Sequence, residues 1–215
     1  HSYSSAASDV YKRQVLTMPI KQIKSQHDLS LSHAKWLKQK YNNVEHHLLE
    51  MDKIFTSFSQ VLNKFDNEHG YANSRARLRM ATLYQVAAAN SGIVVGTGNK
   101  VEDFGVGFYT KYGDGGVDIS PIADCTKTQV WELGKHLGVS EDIINTPPTD
   151  GLWDDGRNDV QQLGMSYEDL EKAMVNKNDP NYQKYLEIRE KNLHKMNPIP
   201  AVSYTHLTLP TSRSV

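Results

Sequence analysis

Cysteine is nearly missing. The 215 residues contain one, Cys125, so no disulfide can close within the chain, and a reducing, cytoplasmic setting is expected. Long apolar runs are missing too. Nothing approaches the roughly 20 residues that a membrane helix requires, and the amino end has no apolar core of a secretory signal. Neither sign of charge is in excess: 24 Lys and Arg against 25 Asp and Glu give a formal net charge of -1. The basic residues are scattered rather than striped, which argues against a nucleic-acid or membrane partner. There is no internal repeat and no dividing linker, so the length and the 38% hydrophobic content fit one α/β domain.

What the chain does have is a local wealth of glycine. The stretch Gly96 to Pro121 reads GTGNKVEDFGVGFYTKYGDGGVDISP. It follows Ile93-Val94-Val95, a run of branched residues without alternation that predicts a buried parallel strand. In open α/β sheets, ligands sit beyond the carboxyl ends of such strands. Glycines let the backbone approach a ligand closely. Thr97, Glu102, Lys111, Asp114 and Asp118 supply a hydroxyl, a metal-type carboxylate, a phosphate cation and acceptors for sugar hydroxyls. A solvated polar loop is the alternative that these residues alone leave open.

Elsewhere the patterns are those of support. Val15 to Ile20 predicts a short strand and Lys21 to Asp28 a polar loop. His33 to Tyr41 and Val44 to Phe65 predict helices, the second with an apolar face running from Leu48 and Met51 through Phe55 and Phe58 to Phe65. His46 and His47 fall on adjacent helical positions that do not face each other, which argues against a shared metal. Ser74 to Ser91 is a strong helix former. Its Arg75, Arg77 and Arg79 oppose the helix dipole, so an anionic ligand, a partner subunit or a solvated face must account for them. Thr126 and Gln129 have capping-box spacing, Gly138 is a stop signal, and Lys127 falls in the first turn, where a phosphate would be welcome. Pro147 to Gly156 predicts a loop or lid, and Trp131 and Trp153 read as packing groups. Ser166 and Asp169 open a helix over Tyr167 to Val175. Asp179-Pro180 opens a last helix through about Leu193.

The two ends are related through the genetic code. SSAASDVYKRQ, Ser4 to Gln14, can be encoded by a DNA whose reverse complement, in a shifted frame, reads VSYTHLTLPT, which is Val202 to Thr211. One adapter read in both senses explains both. Residues 1–14 and 201–215 are therefore expected to be non-native tails around a natural fragment from about Val15 to Pro200, one that lacks its own start.

The run from Ser74 to Val130, with PPTDGLW and the late LHKMNP, resembles NAD synthetase of the ammonia-dependent type. That family belongs to the adenine-nucleotide α-hydrolase-like ATP pyrophosphatases. The resemblance implies an α/β fold with a Rossmann-like parallel sheet flanked by helices, here incomplete at its amino end. It implies a ligase that uses ATP and Mg²⁺ to convert deamido-NAD and ammonia to NAD through an acyl-adenylate, working as a homodimer. By the same resemblance, Thr97, Lys127 and Thr149 contact ATP, and Glu102 binds Mg²⁺. Arg77, Lys111, Asp118, His194 and Lys195 hold deamido-NAD, with Arg77 reaching a pocket from the partner subunit. No acid or base is assigned, because positioning and electrostatics suffice. The family's S-G-G-x-D-S pyrophosphate loop is absent, so this chain is expected to be inactive by itself. Cys125 stands where a larger apolar residue is expected, and GRNDV is looser than the family's acidic run. Alternatives are the synthetase part of a glutamine-dependent enzyme and a non-catalytic dinucleotide-binding module.

Overall fold

A computed structural model describes residues 12–203. Strand β1, Arg13–Thr17, pairs in parallel with β2, Val44–Leu48, in the register Val15 to His46. A parallel pair needs a crossover, and helix α1, Lys24–Lys40, supplies it. This helix begins inside the segment predicted as loop. Lys24 and Asp28, one turn apart with Nζ and Oδ2 at 2.6 Å, favour the helix there.

The single helix predicted over Val44 to Phe65 is corrected. Val44–Leu48 is strand, and α2 covers only Asp52–Val61. Apolar spacing over so short a run fits either state, and hydrogen bonding to β1 decides it. Phe55 is buried with Met51 and Ile20 in a small core. Ile54, Val61 and Phe65 remain 54%, 80% and 76% exposed, so much of the predicted apolar face is left uncovered among the described residues.

Helix α3, Glu68–Ala89, starts ahead of the predicted Ser74, because the Asn67 side chain accepts from Gly70 N at 2.7 Å and caps it. The strand predicted at Ile93 to Val95 is reduced to one parallel bridge, Val95 to Ile119. Of the three residues only Val94 is buried. The described sheet is therefore a two-stranded parallel pair flanked by helices, a mixed α/β fold with part of the expected Rossmann-like sheet.

The carboxyl half is helical: α4, Lys127–Leu137; α5, Glu141–Ile144; α6, Asp159–Leu163; α7, Tyr167–Val175; and α8, Tyr182–Met196. The capping box of Thr126 and Gln129 forms, and Gly138 ends α4 at φ 76°. Asp179 caps no helix; its carboxylate accepts from Asn181 N at 2.8 Å, and α8 starts later and runs past Leu193. The main core joins α6, α7 and α8 to a π-helical turn, Lys100–Val106. Leu170 and Val101 are fully buried in it; each such side chain contributes about 1.5–3 kcal/mol. The tails assigned to 1–14 and 201–215 lie largely outside the described residues, although Arg13 and Gln14 stand in β1.

Candidate functional site

The site is built on the π-helical turn, a form that recurs at functional positions. Buried Asn99 starts it by accepting from Val101 N at 3.0 Å and Glu102 N at 3.1 Å. Gly98 leaves room for the Asp103 carboxylate, since an added Cβ would lie 2.0 Å from Asp103 Oδ2 and displace that side chain. Gly107 closes the turn at φ 66°, where a Cβ would lie 2.7 Å from Asn192 Cβ of α8.

This geometry sets Glu102 against the start of α4. Lys127 Nζ donates to Glu102 Oε1 at 2.9 Å, with the side chains 17% and 16% exposed. The same start of α4 is held by Glu171, whose carboxylate accepts from Thr128 N at 2.9 Å and Thr128 Oγ1 at 2.6 Å. Tyr167, 1% exposed, lies beneath: its Oη is 2.6 Å from Glu102 Oε1 and 2.7 Å from Asp159 Oδ2. Lys127 Nζ sits 4.8 Å from the centre of the same ring. Asp159 is buried with Oδ1 unpartnered among the described residues. Burial pushes its carboxyl up, opposed by the Tyr167 hydrogen bond and Lys127. Burial and then Glu102 and Asp114 raise Asp103 to about 6.

Sequence reasoning missed Tyr167 and Asp159 as site residues. Tyr167 is legible as the first residue of α7, but nothing local ties it to a carboxylate 65 positions away.

A second group lies between the Gly-rich segment and the end of α8. Lys111 Nζ donates to His194 O at 2.9 Å, and Arg77 Nε donates to Lys111 O at 3.3 Å. Lys195 Nζ donates to Tyr109 O at 2.8 Å and lies 5.3 Å from that ring's centre. Four predicted residues, Arg77, Lys111, His194 and Lys195, are thus linked within one chain. Asp118 stands apart, accepting from Val94 N at 2.7 Å and the Tyr84 hydroxyl at 3.2 Å. Thr149 donates to Arg157 O at 3.0 Å within its loop. Thr97 is exposed, and no described hydrogen bond ties it or Thr149 to Glu102 or Lys127.

The remaining arginines of α3 are structural. Arg75 holds the loop after Pro147 through Leu152 O at 3.0 Å and Asp154 Oδ1 at 2.8 Å. Arg79 donates to Met18 O at 3.0 Å, and burial beside Arg75 lowers it to about 10. His46 and His47 alternate along β2, with His46 Nε2 2.9 Å from Thr17 Oγ1. Among the described residues, no group of three or more His, Cys, Asp or Glu could hold a metal ion alone, and no helix is long and apolar enough to cross a membrane.

A parallel α/β arrangement with a carboxylate–lysine pair beside a Gly-rich loop defines a nucleotide-type site. The comparisons narrow it. The NAD synthase profile matches residues 6–203, and the chain belongs to that family. It is 36% identical to the NH(3)-dependent NAD(+) synthetase of Thermoplasma volcanium over 71% of this chain and 64% of that protein. To the enzyme of the same name from Carboxydothermus hydrogenoformans it is 48% identical, over 62% of this chain and 56% of that one. The chain therefore spans less than two thirds of these relatives' length. The structure of NMN synthetase from Francisella tularensis superposes with a TM-score of 0.81 at 28% identity, covering 90% of this chain and 79% of that one. A glutamine-dependent NAD+ synthetase from Acinetobacter baumannii, solved with ADP, shares the fold at a TM-score of 0.57 and 23% identity, over 88% of this chain and 37% of that one.

Proposed function

We propose that this chain carries out the ATP-dependent amidation of deamido-NAD to NAD as part of an ammonia-dependent NAD synthetase. The nicotinate carboxylate attacks the α-phosphorus of ATP, giving an acyl-adenylate and pyrophosphate. Ammonia then attacks the acyl carbon, AMP leaves, and the surplus proton passes to solvent. The observation that carries this reading is the contact of Glu102 with Lys127 at the start of α4. A lysine at a helix N-terminus adds its cation to the positive end of the helix dipole and so favours phosphate, and Thr97 and Thr149 are further ATP contacts in this reading.

Glu102 fits Mg²⁺ as a single hard oxygen donor already placed against a cation, and Mg²⁺ takes one or two carboxylates together with substrate phosphates. When bound, the ion would neutralise charge on the triphosphate. Opening the pair would free Lys127 for phosphate. The cations Arg77, Lys111 and Lys195, with His194 and Asp118, would hold deamido-NAD and keep its carboxylate in line with the α-phosphorus.

A cytoplasmic location and a homodimer complete the reading, the homodimer supported by exposed Ile54 and Val61 of α2 and Phe65 just beyond it. The relation between the two tails supports adapter origin for residues 1–14 and 201–215, which resequencing the DNA upstream of the Val15 codon would check.

The test is AMP release by a chain extended with an S-G-G-x-D-S segment and given ATP, Mg²⁺, deamido-NAD and ammonium. Release that needs all four supports the proposal. Release only with glutamine moves it to a glutamine-dependent enzyme. Tight deamido-NAD binding without any AMP would leave a dinucleotide-binding module.

A further inference from the structure

Two oxygen–oxygen contacts meet at one phenol. Tyr167 Oη lies 2.6 Å from Glu102 Oε1 and 2.7 Å from Asp159 Oδ2. Each such contact needs a proton between its oxygens. The phenol carries one, so the other must sit on a carboxyl. Glu102 Oε1 already accepts from the Lys127 ammonium at 2.9 Å, which makes it the acceptor in its contact with the phenol as well. Asp159 has 4% exposure, and its Oδ1 has no partner among the described residues. An unpaired charge there would be costly, and burial does push this carboxyl up.

We propose that Asp159 and Tyr167 are positioning residues for Glu102: the Asp159 carboxyl carries a proton and donates it to Tyr167 Oη, whose own O–H then points at Glu102 Oε1. The order of donation is Asp159 to Tyr167 to Glu102, and it leaves Glu102 Oε1 accepting from both Tyr167 and Lys127.

The surroundings hold each member. Trp131 meets the Tyr167 ring edge-on at 6.0 Å, and Leu170 of the same helix is fully buried. Asp159 N donates to Pro148 O at 2.9 Å, one residue before Thr149. The loop that carries Thr149 is thereby tied to the residue that orients Glu102. A purely packing phenol would need neither carboxylate, and a purely structural Asp159 would not leave one oxygen buried and unpartnered.

The functional meaning rests on Glu102 acting at the MgATP site; the proton arrangement does not. Two measurements on the 215-residue chain separate them. Carboxyl ¹³C NMR of Asp-labelled protein at neutral pH is expected to show a protonated resonance that disappears in Asp159→Asn and moves in Tyr167→Phe. Calorimetry with MgATP is expected to show about tenfold weaker binding for Tyr167→Phe, the scale of a hydrogen bond to a charged group. Asp159→Asn keeps an N–H donor for Tyr167 and should stay within about twofold of wild type. An ionised Asp159 at neutral pH overturns the proposal, as does MgATP binding unchanged by Tyr167→Phe. If the wild-type chain binds no MgATP, the reading of Glu102 falls, and the ¹³C resonance alone decides the donation order.

Discussion

The two groups of candidate residues solve opposite problems. Around Glu102, charged and polar side chains bond to one another: Lys127, Tyr167 and Asp159 form a closed, mostly buried set. Around Lys111, cations donate to main-chain carbonyls of His194, Lys111 and Tyr109. A carbonyl surrenders a surface lysine at little cost, since exposed pairs contribute little. A buried set cannot lose a member without leaving another uncompensated. In the proposed reading the first group therefore bears on both stability and chemistry, whereas the second would exchange its partners for an anionic ligand.

The sharpest break in this contrast is Glu102→Ala. It strips Lys127 and Tyr167 of a shared acceptor, and the expected loss is about 2–3 kcal/mol, read as a lower urea midpoint. Thr126→Ala removes the cap that places Lys127, with an expected loss of about 1 kcal/mol in the same experiment. Asp103 sharpens the picture through pH. Its folded value, about 6, lies above its ordinary 3.8, so the folded state binds its proton more tightly than the unfolded chain does. That contribution to stability is complete below 3.8 and is lost as pH rises through about 6. Asp103→Asn should flatten the stability profile across this window, and an unchanged profile would remove Asp103 from the account. Lys111→Ala should have the smallest effect, within about 0.5 kcal/mol of wild type, while weakening deamido-NAD binding.

Local chemistry was legible in the sequence where it is self-contained. The cap at Thr126, the stop at Gly138 and the cap at Ser166 all form, because each is decided by residues within a turn of one another. Long-range pairing was not. Val44–Leu48 shares its apolar spacing with the helix that follows, and only β1 makes it a strand. The run Ile93 to Val95 has the composition of a buried strand, yet it forms one bridge and leaves Ile93 and Val95 mostly exposed. Lys127 and Glu102 were named by resemblance and do meet. The Tyr167 and Asp159 pair was invisible, since a tyrosine and an aspartate at the starts of two short helices carry no local signal of sharing a proton.

The most direct test of the division between the two groups is calorimetry with MgATP and with deamido-NAD, each titrated separately into wild type, Glu102→Gln and Lys111→Ala. The account predicts that each substitution weakens one ligand about tenfold or more and leaves the other within about twofold: MgATP for Glu102, deamido-NAD for Lys111. Equal weakening of both ligands by either substitution would contradict it.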